Sequence, residues 1–93
     1  MNNGTKYDAD KPMMNLMPAS AELEVAKVLT FGAKKYGAEN WRQVENADDR
    51  YMAAAMRHIN AARRGEVLDD ESGLNHLAHA VCCLMFILEL AQE

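Results

Sequence analysis

Histidines and acidic residues at helical spacing are the features of this sequence best suited to chemistry. His76 and His79 are three residues apart, so on a helix they project from one face, which Ser72 and Cys83 share. Residues 69–71, an Asp-Asp-Glu run, precede them by one to two helical turns. Imidazoles and carboxylates together bind divalent metals, and carboxylates favour Mg²⁺ or Mn²⁺. Two simpler interpretations stay open: core histidines bonded to carbonyl groups, and acidic residues that stabilise a helix N-terminus.

Two arginines and the tryptophan each have two interpretations. Arg50 and Arg57 lie seven residues apart with the small Ala54 between them, which predicts either a solvated helix face or a clamp for phosphate groups. Lys35, near the end of a predicted helix, is well explained by the negative pole of that helix. Trp41 predicts either a stacking partner for a base or a packing residue.

These side chains must be positioned by three helices that follow an extended arm. Residues 1–18 have two prolines and no helical period, so they are predicted as an N-terminal arm, and residues 19–93 as a single all-helical domain. The first helix is predicted to begin after Ser20 as N-cap, because apolar residues then recur at helical spacing. Gly37 is a typical helix stop.

The second helix is predicted over 49–64, and the third from directly after the acidic run to the C-terminus. From Leu77 to Leu90 the third helix is apolar on nearly every side, so it must be buried on every side. Two neighbouring helices cannot cover it, which predicts a homo-oligomer, either a dimer or a tetramer. The predicted fold class is all-α: a small bundle of three main helices completed by oligomerisation.

Composition argues against several classes of protein. The net charge of −4 argues against a stable complex with nucleic acid, for which a basic surface is typical. The two cysteines, Cys82 and Cys83, are neighbours and cannot bridge on one helix. The N-terminus lacks the apolar core of a signal peptide, and the longest apolar run, 80–88, is about half of a membrane span. We therefore predict a cytoplasmic protein without membrane contact.

A further pattern extends over nearly the whole chain, from about Lys6 to Leu90. Its first half comprises residues 6–8 (KYD), 11–12 (KP), 31–37 (FGAKKYG) and 40–41 (NW). Its second half comprises residues 50–51 (RY), 57–58 (RH), 65–66 (GE), 71–74 (ESGL) and 76–80 (HLAHA). In order and spacing these segments resemble the phage-type dATP/dGTP diphosphohydrolase family, which is similar to the MazG-like all-α nucleoside triphosphate pyrophosphohydrolases.

The resemblance implies an oligomeric helical bundle that cleaves purine deoxynucleoside triphosphates between the α- and β-phosphates, with Mg²⁺ or Mn²⁺ as cofactor. The products are a monophosphate and pyrophosphate, and a phage-encoded member would act in the host cytoplasm. The wider superfamily holds its metals with EExxE and ExxD motifs. This chain has no EExxE, and its ExxD at 45–48 lies in a predicted loop, whereas His76 and His79 have the ExxD spacing.

With this resemblance, each candidate residue receives a predicted role. The predicted metal ligands are His58, Asp69, Glu71, His76 and His79. Glu24 and Glu71 are the predicted catalytic carboxylates, with Glu24 as general base. The predicted substrate-binding residues are Lys6, Lys11, Lys35, Asn40, Trp41, Arg50 and Arg57, of which Asn40 and Trp41 contact the base. The arm is predicted to close over the nucleotide.

Two other functions stay open at this point. A non-catalytic nucleotide-binding or sponge protein would keep the basic residues without a metal, so sensitivity to a chelator distinguishes it from the enzyme. A helical structural adaptor would use the third helix as a partner surface, and a nucleotide would not raise its melting temperature.

Overall fold

The structure, a computed structural model, describes residues 3–93; Met1 and Asn2 lie outside the described part. Three helices follow one another: α1 (Ala19–Tyr36), α2 (Ala47–Arg63) and α3 (His76–Gln92). Short 3₁₀ turns lie at Met14–Leu16 and Asn40–Gln43. No strand occurs within residues 3–93, where one isolated bridge joins Leu68 to Asn75. The predicted all-α small bundle is therefore confirmed.

The beginnings of α1 and α2 differ slightly from the predicted ones. The N-cap of α1 is Pro18, and Ser20 lies inside the helix rather than capping it. Proline has no N–H to leave unsatisfied, so it suits a helix start. The N-cap of α2 is Asn46, which has the left-handed backbone conformation with φ 53°. Gly37, with φ 100°, ends α1 as predicted.

The beginning of α3 was predicted wrongly. It begins at His76, because the Asn75 side chain accepts a hydrogen bond of 2.8 Å from the Leu77 N–H and so caps the helix. Residues 65–75 form a loop, which includes the predicted first turn of α3 at 72–75, and Gly73 has φ 70°. Ser72 is thus on a loop and not on the helix face that carries the histidines.

The core of the bundle is built from small side chains. Val25 and Val28 of α1 pack against Ala78 and Cys82 of α3, and Phe86 adjoins this cluster. In the described part of the chain no large side chain is completely buried. Because small residues let helices approach closely but remove little apolar area from water, this core contributes only modest stability.

One face of α3 is left uncovered by the rest of residues 3–93. Leu77, Val81, Leu84 and Leu88 are exposed by 40% to 64%. They are spaced by four, three and four residues, so they form one stripe along the helix. We call these four residues the α3 stripe. A contiguous apolar face of this kind marks an interaction surface.

The arm extends away from the helices. Residues 3–18 are exposed throughout, including Tyr7, Met14 and Leu16. The radius of gyration is 16.7 Å, whereas a compact chain of this length has roughly 12 Å. The arm therefore does not pack onto its own chain; the division into arm and domain stays a prediction.

The two cysteines lie inside the bundle as free thiols. Burial raises the pKa of the Cys82 thiol to about 12, and burial also raises the pKa of Cys83. A thiol reagent at pH 8 is therefore expected to react at neither residue in the folded chain and at both after addition of denaturant, because the thiolate is the reactive form. Stoichiometric labelling without denaturant would contradict this burial.

None of the helices in residues 3–93 combines the length and apolar character needed to cross a bilayer.

Candidate active site

A cavity of about 770 Å³ lies between the three helices and the 3₁₀ turn at Asn40–Gln43. Its volume is typical of a site for a small organic ligand. One end carries His58, Asp69, Glu71 and His79, and we call it the polar end. The other end carries Trp41, Tyr51 and Phe86, and we call it the aromatic end.

Two helices bring three imidazoles together at the polar end. His58 of α2 and His76 of α3 share a hydrogen bond of 2.8 Å between their Nδ1 atoms. The rings of His58 and His79 stack with centroids 4.5 Å apart and planes 13° apart. His76 is only 7% exposed. The histidines therefore form one cluster that α2 and α3 hold from opposite sides.

The loop before α3 adds a carboxylate to this cluster. Asp69 Oδ2 accepts hydrogen bonds from the backbone N–H groups of Glu71 (3.1 Å) and Ser72 (2.9 Å). The Ser72 hydroxyl shares a hydrogen bond of 2.7 Å with His79 Nε2 and accepts one from the Leu74 N–H. The acidic run thus orders its own loop, and it does not cap α3 as the simpler interpretation required.

Two side chains of the polar end and one beside it are spaced like metal ligands. One ligand atom each from His58, Asp69 and His76 lies within 4.8 Å of the others. Two ligands about 2.1 Å from one ion are at most about 4 Å apart, so a small rotation would bring all three into range. Imidazole suits first-row transition metals, whereas Mg²⁺ prefers oxygen ligands alone. This mixed set therefore fits Mn²⁺ better than Mg²⁺.

The protonation states at neutral pH also suit metal binding. Burial lowers the pKa of His58 below its ordinary 6.5, and the neighbouring His79 and His76 lower it further. Burial lowers the pKa of His79 too, against the opposing effect of Asp69. Burial alone would raise the pKa of Asp69, but hydrogen bonds from Ser72 and the nearby histidines bring it below its ordinary 3.8. Neutral imidazoles beside an ionised carboxylate are the forms that bind metals.

The lowered pKa values of His58 and His79 predict a pH dependence of stability. Because the unfolded chain binds protons on these histidines more readily than the folded chain, the free energy of unfolding is expected to be constant above about pH 7 and to fall as the pH drops below 6.5. Urea titrations of the metal-free chain between pH 7.5 and 5 measure this fall. In His79→Gln it should be smaller, and an unchanged stability across this range would contradict the shifts. The lowered pKa of Asp69 affects the free energy of unfolding in a separate pH range, below about pH 4.

The cations of the cavity are paired with acidic residues. Lys35 Nζ lies 2.5 Å from Glu71 Oε2, which joins α1 to the loop before α3. The hydrogen bond to Glu71 raises the pKa of Lys35, so Lys35 stays charged. Arg42 forms ion pairs with Glu39 and Glu93. An anionic ligand would therefore need a metal ion or a rearrangement of these pairs.

The aromatic end is a packed group of three rings. The Trp41 and Phe86 rings stack with centroids 4.5 Å apart, and Tyr51 meets Phe86 edge-on at 5.1 Å. The Arg42 guanidinium lies over the Trp41 ring at 4.3 Å. This group offers a flat apolar surface, and Trp41 is also a packing residue.

The structure brings some of the predicted site residues together and leaves others apart. Cavity-lining or adjoining residues are His58, Asp69, Glu71, His76, His79, Lys35, Asn40 and Trp41. Lys6 and Lys11 lie on the exposed arm, and Arg50 and Arg57 are exposed on α2 outside the cavity. Glu24 pairs with Lys27 on α1 and does not line the cavity.

Sequence reasoning missed several side chains of this region. Glu66, whose Oε2 is 3.8 Å from His76 Nε2, and Arg42 belong to it. So do Tyr51, Phe86 and Glu89. Phe86 and Glu89 follow His79 by seven and ten residues, so helical spacing alone would have placed them along the same side of α3.

Comparison with known proteins adds to this geometry. A family model described as dATP/dGTP diphosphohydrolase, N-terminal, matches residues 1–93. A dATP/dGTP diphosphohydrolase of Salmonella phage PMBT28 is 39% identical over 87 residues, which are 94% of this chain and 29% of the relative. This chain thus spans less than a third of that relative's length. No solved structure matches this chain.

Proposed function

We propose that this chain, which belongs to the dATP/dGTP diphosphohydrolase family by its match over residues 1–93, acts in the metal-dependent hydrolysis of purine deoxynucleoside triphosphates. Water would add to the α-phosphorus as the bond from that phosphorus to the oxygen bridging to the β-phosphate breaks. The products are a monophosphate, pyrophosphate and one released proton. The observation that carries the proposal is the convergence of His58 and Asp69, which line one end of a cavity of about 770 Å³, with His76, which is hydrogen-bonded to His58 beside it.

The chain's own residues have distinct roles in this proposal. His58, Asp69 and His76 would hold a divalent cation, with Mn²⁺ the better fit to their donor atoms. A divalent cation so bound supplies positive charge to the α-phosphate and lowers the pKa of water. Lys35 stays charged beside Glu71. Because Glu71 belongs to the polar end, this ion pair places the positive charge of Lys35 there.

The choice of general base follows from position. Glu71 lines the cavity, whereas Glu24 lies outside it in an ion pair with Lys27. A base must reach the proton it removes, directly or through one water. We therefore assign proton acceptance to Glu71, with Lys35 holding its carboxylate in place.

A second copy of the chain would complete the fold. The α3 stripe is apolar and exposed, and the core of one chain buries no large side chain completely among residues 3–93. Packing two such stripes against each other would bury the four side chains of each chain without exposing a polar group. We propose a homodimer through the α3 stripe.

The experiment for the proposed activity is a product analysis. The chain is incubated with dGTP or dATP and with Mn²⁺ or Mg²⁺, and monophosphate, diphosphate, pyrophosphate and orthophosphate are resolved. Monophosphate with pyrophosphate, lost on adding a chelator, is the expected result, with the faster rate in Mn²⁺. Nucleotide that stays intact with both metals while raising the melting temperature would replace the enzyme by a binding protein. Intact nucleotide without any rise in melting temperature would contradict both the enzyme and the binding protein.

A further inference from the structure

The cavity has the length of a nucleotide along α3. Phe86 follows His79 by seven residues and Glu89 follows it by ten, so the two lie about 10 Å and about 15 Å further along the helix axis. A triphosphate at the polar end therefore directs its base toward the aromatic end. This step rests on the proposed function, because it takes the polar end as the phosphate site.

The aromatic end ends in a carboxylate without a partner. Four carboxylates line the cavity: Glu39, Asp69, Glu71 and Glu89. The first three are held by Arg42, by backbone N–H groups and by Lys35. Glu89, which is exposed, is the exception: within residues 3–93 no hydrogen bond or ion pair joins its carboxylate to another side chain, so it is free to bind a ligand.

Glu89 is an exposed side chain of α3 that lines the cavity one helical turn beyond Phe86, so its carboxylate is open to solvent and within reach of a ligand in the cavity. Its distance of about 15 Å from the polar end along α3 exceeds the screening length of about 8 Å, so it does not strongly repel phosphates.

We propose that Glu89 selects guanine over adenine by accepting hydrogen bonds from the base. Guanine presents two neighbouring donors on its pairing edge, the N1–H and the 2-amino group, and an ionised carboxylate has two oxygens that accept both. Adenine presents the N1 lone pair at the same place, which a carboxylate repels. Asn40, also at this end, carries both a donor and an acceptor and therefore suits either base.

The test measures binding, so that it does not depend on turnover. Non-hydrolysable α,β-methylene analogues of dGTP, dATP and deoxyinosine triphosphate are titrated calorimetrically into the chain with Mn²⁺. The variants are Glu89→Gln, whose amide complements adenine, and Glu89→Ala. Glu22→Gln is the matched control, because Glu22 is exposed in the first turn of α1 and does not line the cavity.

The expected result is a guanine preference of about ten- to a hundredfold in the unmodified chain, the range of a two-bond contact between a side chain and a base. The inosine analogue, which lacks the 2-amino group, should bind with intermediate affinity. Glu89→Ala should remove the preference, Glu89→Gln should reverse it, and Glu22→Gln should keep it. If both purine analogues bind but their ratio is the same in Glu89→Gln, or changes equally in Glu22→Gln, the role of Glu89 is overturned while the proposed function stands. If neither analogue binds, the proposed function is overturned and the role of Glu89 with it.

Discussion

Asp69→Asn is expected to lower kcat/KM for dGTP hydrolysis on the order of a thousandfold, which corresponds to about 4 kcal/mol of transition-state stabilisation. Asparagine has the same shape and still accepts a hydrogen bond from the Ser72 N–H, so the loop before α3 is preserved. What is lost is the negative charge among His58, His76 and residue 69, on which the proposed cation site would depend. A charge contribution of several kcal/mol is usual for a metal in such a site.

Asp70→Asn is the matched control for this prediction. Asp70 is the next residue in the chain, it is exposed, and it is not among the three grouped ligand residues. The same change of charge there should leave kcat/KM within about twofold, because an exposed charge is screened by solvent. Equal losses in both variants would show that the net charge of the loop matters and that Asp69 is no ligand.

Metal binding by these two variants can be followed without catalysis. Mn²⁺ is expected to raise the melting temperature of the unmodified chain and of Asp70→Asn, since a ligand that binds only the folded state stabilises it. In Asp69→Asn the rise should disappear while the melting temperature without metal stays close to that of the unmodified chain. A full Mn²⁺-induced rise in the melting temperature of Asp69→Asn would show that Asp69 is not a metal ligand.

Replacing Leu84 and Leu88 together by Glu is expected to dissociate the proposed homodimer. Each leucine is partly exposed on the α3 stripe and would contribute roughly 1.5–3 kcal/mol if it were buried completely in an interface. The loss of both raises the dissociation constant at least about a hundredfold. Sedimentation equilibrium should then report the 10.4 kDa monomer for the variant and about twice that mass for the unmodified chain.

Leu23→Glu provides the comparison for this variant. Leu23 is a leucine on α1 that is 57% exposed and lies outside the α3 stripe. It should leave the mass unchanged if α3 forms the interface. Dissociation by Leu23→Glu with an intact dimer in the α3 variant would move the interface to α1, and a monomeric unmodified chain would remove the homodimer altogether.

Features that depend on neighbours in the chain were predictable from the sequence. The helical spacing of His76 and His79 identified one face of α3, and Gly37 marked the end of α1. The nearly continuous apolar character of α3 predicted that its own chain could not cover it, and the four residues of the α3 stripe are indeed exposed. In each case the physical cause, a helical period or a backbone angle, acts over four residues or fewer.

The loop before α3 shows where local reasoning failed. The acidic run was interpreted either as metal ligands or as negative charges that stabilise the N-terminus of α3, which was predicted to begin directly after it. Asn75 instead caps α3, and the Asp69 carboxylate accepts hydrogen bonds from the backbone of its own loop. Both arrangements satisfy a side-chain oxygen with backbone N–H groups, so their difference in free energy is small and the sequence does not reveal which is adopted.

What only the tertiary structure decided is which distant residues meet. His58 reaches His76 across 18 residues, and Lys35 reaches Glu71 across 36. Trp41 lies in the short turn between α1 and α2 and stacks on Phe86 of α3. No periodic pattern in the sequence connects these two residues. These contacts depend on how α1 and α2 dock on α3. The buried apolar residues of all three helices are small and allow close approach, among them Val25 and Val28 of α1, Ala55 and Ala61 of α2, and Ala78 and Cys82 of α3. A periodic pattern determines which face of a helix is buried, but the partner of each side chain on that face is determined by packing of the whole bundle.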